Sequence, residues 1–122
     1  MPDRLEQLNA LMTKELSNIL KRERHNENKV YLYSLGEYWT AFERSAYLLD
    51  QLSKTEPLVL YMEEYPFPIV MCTAHDRDVN VLCRKGRSGM SHRDYREFVT
   101  RPLDPQVYAA WYRRQTEEKN KK

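Results

Sequence analysis

The densest run of chemically capable side chains is His75-Asp76-Arg77-Asp78. Two carboxylates and a histidine within four residues suit acid–base or metal work only if a bent loop turns them together. An extended chain would send Asp76 and Asp78 to one side and Arg77 to the other. A surface turn in which Arg77 neutralises its neighbours is the simpler arrangement. Cys72 and Cys83 flank this run, but their spacing matches no zinc finger or ribbon, and the only histidines are His25, His75 and His92. Two small buried thiols are expected, with no metal and no cofactor. Cys83 and His92 have the residue types of a nucleophile and its base, yet nothing in the sequence supplies a third group to orient them. No catalytic set converges, so a non-enzymatic protein is expected.

Arg84-Lys85-Gly86-Arg87-Ser88-Gly89 is rich in the residues of a phosphate loop. A P-loop needs its lysine after the second glycine, at the start of a helix, and here the order is wrong. The run can still meet phosphates through backbone N–H groups, Arg84, Lys85 and Arg87. It opens a basic third of the chain. Residues 84–122 hold eleven Lys or Arg against five Asp or Glu, whereas residues 1–83 hold nine against thirteen, within an overall charge of +2. Such asymmetry makes an electrostatic footprint for an anion, with Arg93, Arg113 and Arg114 as further contacts. The closing Glu117-Glu118-Lys119-Asn120-Lys121-Lys122 equally reads as a solvated, flexible tail. Flat side chains accompany the charge: nine Tyr, two Trp and three Phe in 122 residues. Tyr38, Trp39, Tyr61, Tyr65 and Phe67 lie in or beside turns, where they can meet a partner or be half-buried in a small core.

The stretch Val30–Leu52 carries a family resemblance. An apolar strand ends in Gly36-Glu37-Tyr38-Trp39-Thr40-Ala41-Phe42, followed by Ser45-Ala46-Tyr47-Leu48-Leu49. This resembles the start of the mismatch-recognition domain of MutS-type DNA repair proteins, where a Gly-Asp-aromatic-aromatic-Glu-Leu-Phe run precedes an alanine- and leucine-bearing helix. The resemblance extends more faintly to Phe67-Pro68-Ile69-Val70-Met71 and His75. In that family the first aromatic wedges against a mispaired base, and a glutamate two residues later hydrogen-bonds it. By position the wedge is Tyr38, and the glutamate position holds Thr40. The family's ATPase and clamp regions do not fit in 122 residues, so the resemblance implies a fold more than a repair activity.

The elements that would position these residues follow from periodicity. Leu5, Leu8, Met12, Leu16, Ile19 and Leu20 form one stripe of an amphipathic helix over residues 3–24, with Asp3 and Glu6 as a capping pair. Val30–Tyr33 reads as a strand; Tyr38–Phe42 continues either helically or as the second strand of a hairpin, and the resemblance implies the hairpin. A helix over 43–52 ends near Pro57. Leu58–Met62 and Ile69–Thr73 read as an antiparallel pair around a proline-rich turn. In 78–84, Val79, Val81 and Cys83 alternate with polar neighbours and predict a strand, where the resemblance implies a helix. Ser91 and Asp94 form a capping box that predicts a short helix from His92 to about Thr100. Asp104-Pro105 opens a last helix with an aromatic stripe of Tyr108, Trp111 and Tyr112.

These elements predict one α+β domain over 1–116: a small mixed or antiparallel sheet of four to five strands, an N-terminal helix, a central helix and two short C-terminal helices. No apolar run reaches the ~20 residues that span a bilayer, and the acidic N-terminus lacks a signal-peptide core, so a cytoplasmic protein without membrane contact is expected. Two functions stand open. One is a non-catalytic nucleic-acid-binding module, stacking through Tyr38 and Trp39, sensing with Thr40 and holding phosphates with the arginines and lysine named above. The other is a protein-interaction module, a homodimer or accessory subunit, anchored by Leu5, Leu8, Met12, Leu16 and Ile19 or by Val107, Trp111 and Tyr112.

Overall fold

The computed structural model describes residues 4–53, 55–85, 87–91 and 95–120, with the side chains at 4, 5, 7, 85, 87–91 and 118–120 left aside. The order of elements is α1 (Arg4–Arg24), β1 (Lys29–Leu35), β2 (Tyr38–Phe42), α2 (Glu43–Leu52), β3 (Leu58–Leu60), β4 (Ile69–His75), α3 (Asp76–Lys85), β5 (Arg87–Ser91), β6 (Tyr95–Val99) and α4 (Pro105–Asn120). The class is α+β. Among the described residues the sheet has six strands in the order β3-β4-β2-β1-β6-β5, and every pair is antiparallel.

Alternation along the strands gives each sheet face its own core. On one face Val30, Leu32, Trp39, Ala41, Val70, Cys72, Ala74 and Phe98 pack against α2, α4 and the Val79 and Cys83 side of α3. On the other, Tyr33, Phe42, Ile69 and Met71 pack under Leu16, Ile19 and Leu20 of α1. Burial of these apolar stripes is the main stabilising term, since each fully buried large side chain contributes about 1.5–3 kcal/mol. The β1–β2 hairpin turns at Gly36, whose φ of 71° suits a residue without Cβ.

Two expectations from local pattern are overturned. Residues 76–85 are the helix α3, not a strand. Val79, Leu82 and Cys83 cover one helical side while Val81 points to solvent, so Val79 and Cys83 fit both periods and the helix exchanges Val81 for Leu82 on the buried side. Asp76 and Asp78 in the first turn favour the helix, because carboxylates suit its positive end. In turn, Tyr95–Val99 is the strand β6, not part of a helix over 92–100. It pairs with five residues of β1, from Lys29↔Val99 to Tyr33↔Tyr95, and buries Phe98 beside Val30. Among the described residues the sheet therefore has more strands than the four or five expected, and one helix follows β6 where two C-terminal helices were expected. Asp3 and Asp94, the capping residues expected for the first helix and the 92–100 helix, lie outside the described residues.

The last helix starts as its sequence dictates. The Asp104 side chain accepts hydrogen bonds from the N–H groups of Gln106 (2.9 Å) and Val107 (3.4 Å). It continues through Asn120, into the segment expected as a tail. Among the described residues, no helix is long and apolar enough to cross a membrane.

Candidate functional site

Of the nine residues expected at a nucleic-acid surface, the six whose side chains are described do not share one place. Trp39 is only 6% exposed and Thr40 is fully buried. The Thr40 hydroxyl donates to the Cys72 carbonyl at 3.2 Å. The Trp39 indole Nε1 donates to Asp76 Oδ1 at 2.7 Å, with the Arg96 guanidinium 5.6 Å from the ring centre. Asn80 joins the same group, donating to Asp76 Oδ2 (3.3 Å) and accepting from Arg96 (2.6 Å). As placed, neither Trp39 nor Thr40 can meet a base, and this corrects their expected roles. The closed ring Trp39–Asp76–Asn80–Arg96 also commits Asp76 to structure, while the Nδ1 of His75 accepts the N–H of Arg77 at 3.1 Å. Among the described residues, no cluster of His, Cys, Asp or Glu has the makings of a metal site.

Tyr38 is different. It opens β2, half-buried, with its ring edge-on to His75 at 5.3 Å. The cations expected beside it lie elsewhere. Arg113 and Arg114 are exposed on α4, the helix whose Tyr112 hydroxyl donates to the carbonyl of Pro68, one residue before β4 begins. Tyr38 pairs with His75, where β4 ends. The seven residues of β4 separate the two by about 20 Å at ~3.3 Å per residue. Arg84 is exposed near the far end of α3. The side chains of Lys85 and Arg87, and Arg93 altogether, lie outside the described residues. The anchors expected of a dimer are spent within the chain: Leu16, Ile19 and Trp111 are buried, and Leu8, Met12 and Tyr112 pack against the cores. The side chain of Leu5 is not described, and of the others Val107 alone is exposed.

A second aromatic group, which local reading of the sequence does not single out, is built by strand pairing. Tyr31 and Tyr33 of β1 and Tyr95 of β6 project from the α1 side of the sheet, because the register sets Tyr33 opposite Tyr95. Tyr31 and Tyr95 stack with centroids 6.4 Å apart and planes 23° apart. The Arg22 guanidinium, from the last turn of α1, lies 5.3 Å from both rings and donates to the Tyr33 hydroxyl at 3.0 Å. Glu97 completes a shallow hollow of ≈ 360 Å³ with Arg22, Tyr31 and Tyr95. The register places Tyr33 opposite Thr40, and Leu35 opposite Tyr38, so Tyr38 projects from this same side.

A third site lies where α1, α2 and α4 meet. Helix α2 has no side-chain cap of its own. The carboxylate of Glu23 supplies one from α1, accepting the Ser45 N–H (2.7 Å) and hydroxyl (2.5 Å). Ser45 Oγ in turn accepts from the Tyr31 N–H and from Asn26. Beside this network Glu43 begins α2 with a left-handed φ of 51°, uncommon for a residue with a Cβ. Its Oε2 accepts from the Tyr108 hydroxyl at 3.0 Å. Burial pushes both carboxyls up to about 7, against the opposing pull of their hydrogen bonds. Both face a cleft of ≈ 500 Å³. Periodicity could not reveal these glutamates, because each sits at a helix end among ordinary charged residues.

No family model, no curated protein and no solved structure matches this chain.

Proposed function

We propose that this protein is a non-catalytic nucleic-acid-binding module whose contact surface is the α1 side of the sheet across β1, β2 and β6. The observation that carries this reading is Arg22 laid over both Tyr31 and Tyr95. Aromatic rings offer faces on which any base can stack, and a guanidinium can stack on a base or hold a phosphate. Tyr38 on the same side, half-buried at the hairpin end, is a further stacking group. The resemblance of residues 30–52 to the MutS mismatch-recognition domain points to the same function. Tyr31, Tyr95 and Arg22 take the place of Trp39 and Thr40 in the expected site.

Fluorescence anisotropy with single-stranded, duplex and mismatched DNA at two salt concentrations tests the proposal. Binding that weakens steeply with salt is expected, since phosphate contacts release counterions. Arg22→Ala with Tyr31→Ala should cost about tenfold or more in affinity, as stacking contributes ~1–3 kcal/mol per base. No binding at low salt, or binding unchanged in that double variant, overturns it.

A further inference from the structure

The cleft between α1, the start of α2 and α4 is separate from the tyrosine–arginine surface, and the nucleic-acid reading does not use it. Its chemistry is graded by depth. The inner wall carries Glu43 and Glu23, 8% and 2% exposed. The outer wall carries the exposed side chains of Arg24 and Arg113, two cations against the one exposed carboxylate of Glu117, and Phe67 and Tyr112 form aromatic sides. Among the described residues neither buried carboxylate has a cation within 4.0 Å, the only ion pair being Lys29–Glu97. Arg44 also lines the cleft, but its guanidinium donates to the Asn26 carbonyl at 3.1 Å and lies over the Tyr108 ring, so it is committed elsewhere.

Buried carboxylates without a cation are costly, and a partner that supplies N–H donors there is favoured. Aromatic walls favour the same group, because an ammonium is attracted to a ring face. The arginines at the mouth would repel a simple cation and attract an anion. The ≈ 500 Å³ of the cleft falls within the range of small-molecule sites. We propose that this cleft binds a small amino acid-like molecule, with its ammonium against Glu43 and its carboxylate between Arg24 and Arg113.

The test is isothermal titration of the full chain with three probes: ε-aminocaproate, hexylamine and caproate. They carry both charges, the ammonium alone and the carboxylate alone. Saturable binding of ε-aminocaproate, roughly tenfold or more tighter than either single-ended probe, is expected, a difference of about 1.4 kcal/mol. Glu43→Gln should abolish it. Arg113→Ala, a change on an exposed helix surface that leaves folding intact, should reduce ε-aminocaproate to the affinity of hexylamine. Trp111, with its ring 6.2 Å from that of Tyr108, provides a second readout by fluorescence. Equal binding of the three probes, no saturable binding of any, or binding unchanged in Arg113→Ala overturns the proposal. None of these outcomes depends on whether the tyrosine–arginine surface binds nucleic acid.

Discussion

The indole of Trp39 and the carboxylate of Asp76, 2.7 Å apart, join the start of β2 to the first turn of α3. The backbone reinforces the link, since the Asp76 N–H donates to the Glu37 carbonyl at 2.9 Å. Asp76 thereby serves a buried donor and a helix N-terminus with one charge. Trp39→Ala should destabilise the protein by about 3–5 kcal/mol through the cavity it leaves. Trp39→Phe, which keeps most of the ring, should cost less, about 1–2 kcal/mol for the lost hydrogen bond. Urea denaturation of both variants checks the ordering; a Trp39→Ala variant as stable as the parent would contradict a core role.

Ser45 has a leverage that its size conceals. Its hydroxyl accepts from the Tyr31 N–H and donates to Glu23, so Ser45→Ala leaves a buried donor and a buried carboxylate oxygen each short of a partner. The expected loss is about 1–3 kcal/mol. Ser45→Gly should be worse, because glycine adds backbone entropy inside a helix. Thermal melts of the two variants give the comparison.

Stability should fall as pH rises from about 4.5 to about 7. Glu23 and Glu43 hold their protons up to about 7, above the ordinary value of 4.5. Between those values the folded chain binds more protons than the unfolded chain, so raising the pH favours unfolding. Each carboxyl contributes at most about 3 kcal/mol across the window, at 1.36 kcal/mol per pH unit. Glu43→Gln should flatten the dependence of melting temperature on pH in part, and an unchanged slope would mean that the Glu43 proton does not contribute to it.

Mismatch discrimination should be weak. Thr40 stands where the MutS-like pattern has its base-sensing glutamate, and it is fully buried with its hydroxyl on the Cys72 carbonyl. Any preference for mismatched over matched duplex is expected to stay below about tenfold, or ~1.4 kcal/mol. Competition between the two duplexes measures it. A hundredfold preference would require another polar group to read the displaced base.

Modification of the thiols by iodoacetamide should be slow in the native state. Both cysteines are buried thiols, and burial pushes the Cys72 thiol up to about 12, so little of the reactive thiolate exists near neutral pH. Rapid labelling of Cys72 without denaturant would contradict its burial.

Several elements were legible in the residues alone: the amphipathic α1, the central helix from Glu43, the β3–β4 pair around its prolines, and α4 with Asp104 as its cap. Each depends on a local signal, whether an apolar stripe, a turn residue or a capping side chain, that acts within a few residues. Where a local signal fitted two periods, tertiary structure decided. Val79 and Cys83 could face one way in either a helix or a strand, and packing on β4 and β5 selected the helix, which brings Leu82 to their side and turns Val81 to solvent. The Tyr95–Val99 segment became a strand because β1 offered a complementary edge, a partner more than sixty residues away that no window contains. The same long-range pairing decided the sites. The aromatic turn advertised Trp39 and Thr40, but the two faces of β2 sent both into the interior. The stacked Tyr31 and Tyr95 under Arg22, and the Glu23 carboxylate capping α2, join residues distant in the chain. Their proximity is a property of register and helix packing, which composition and spacing do not encode.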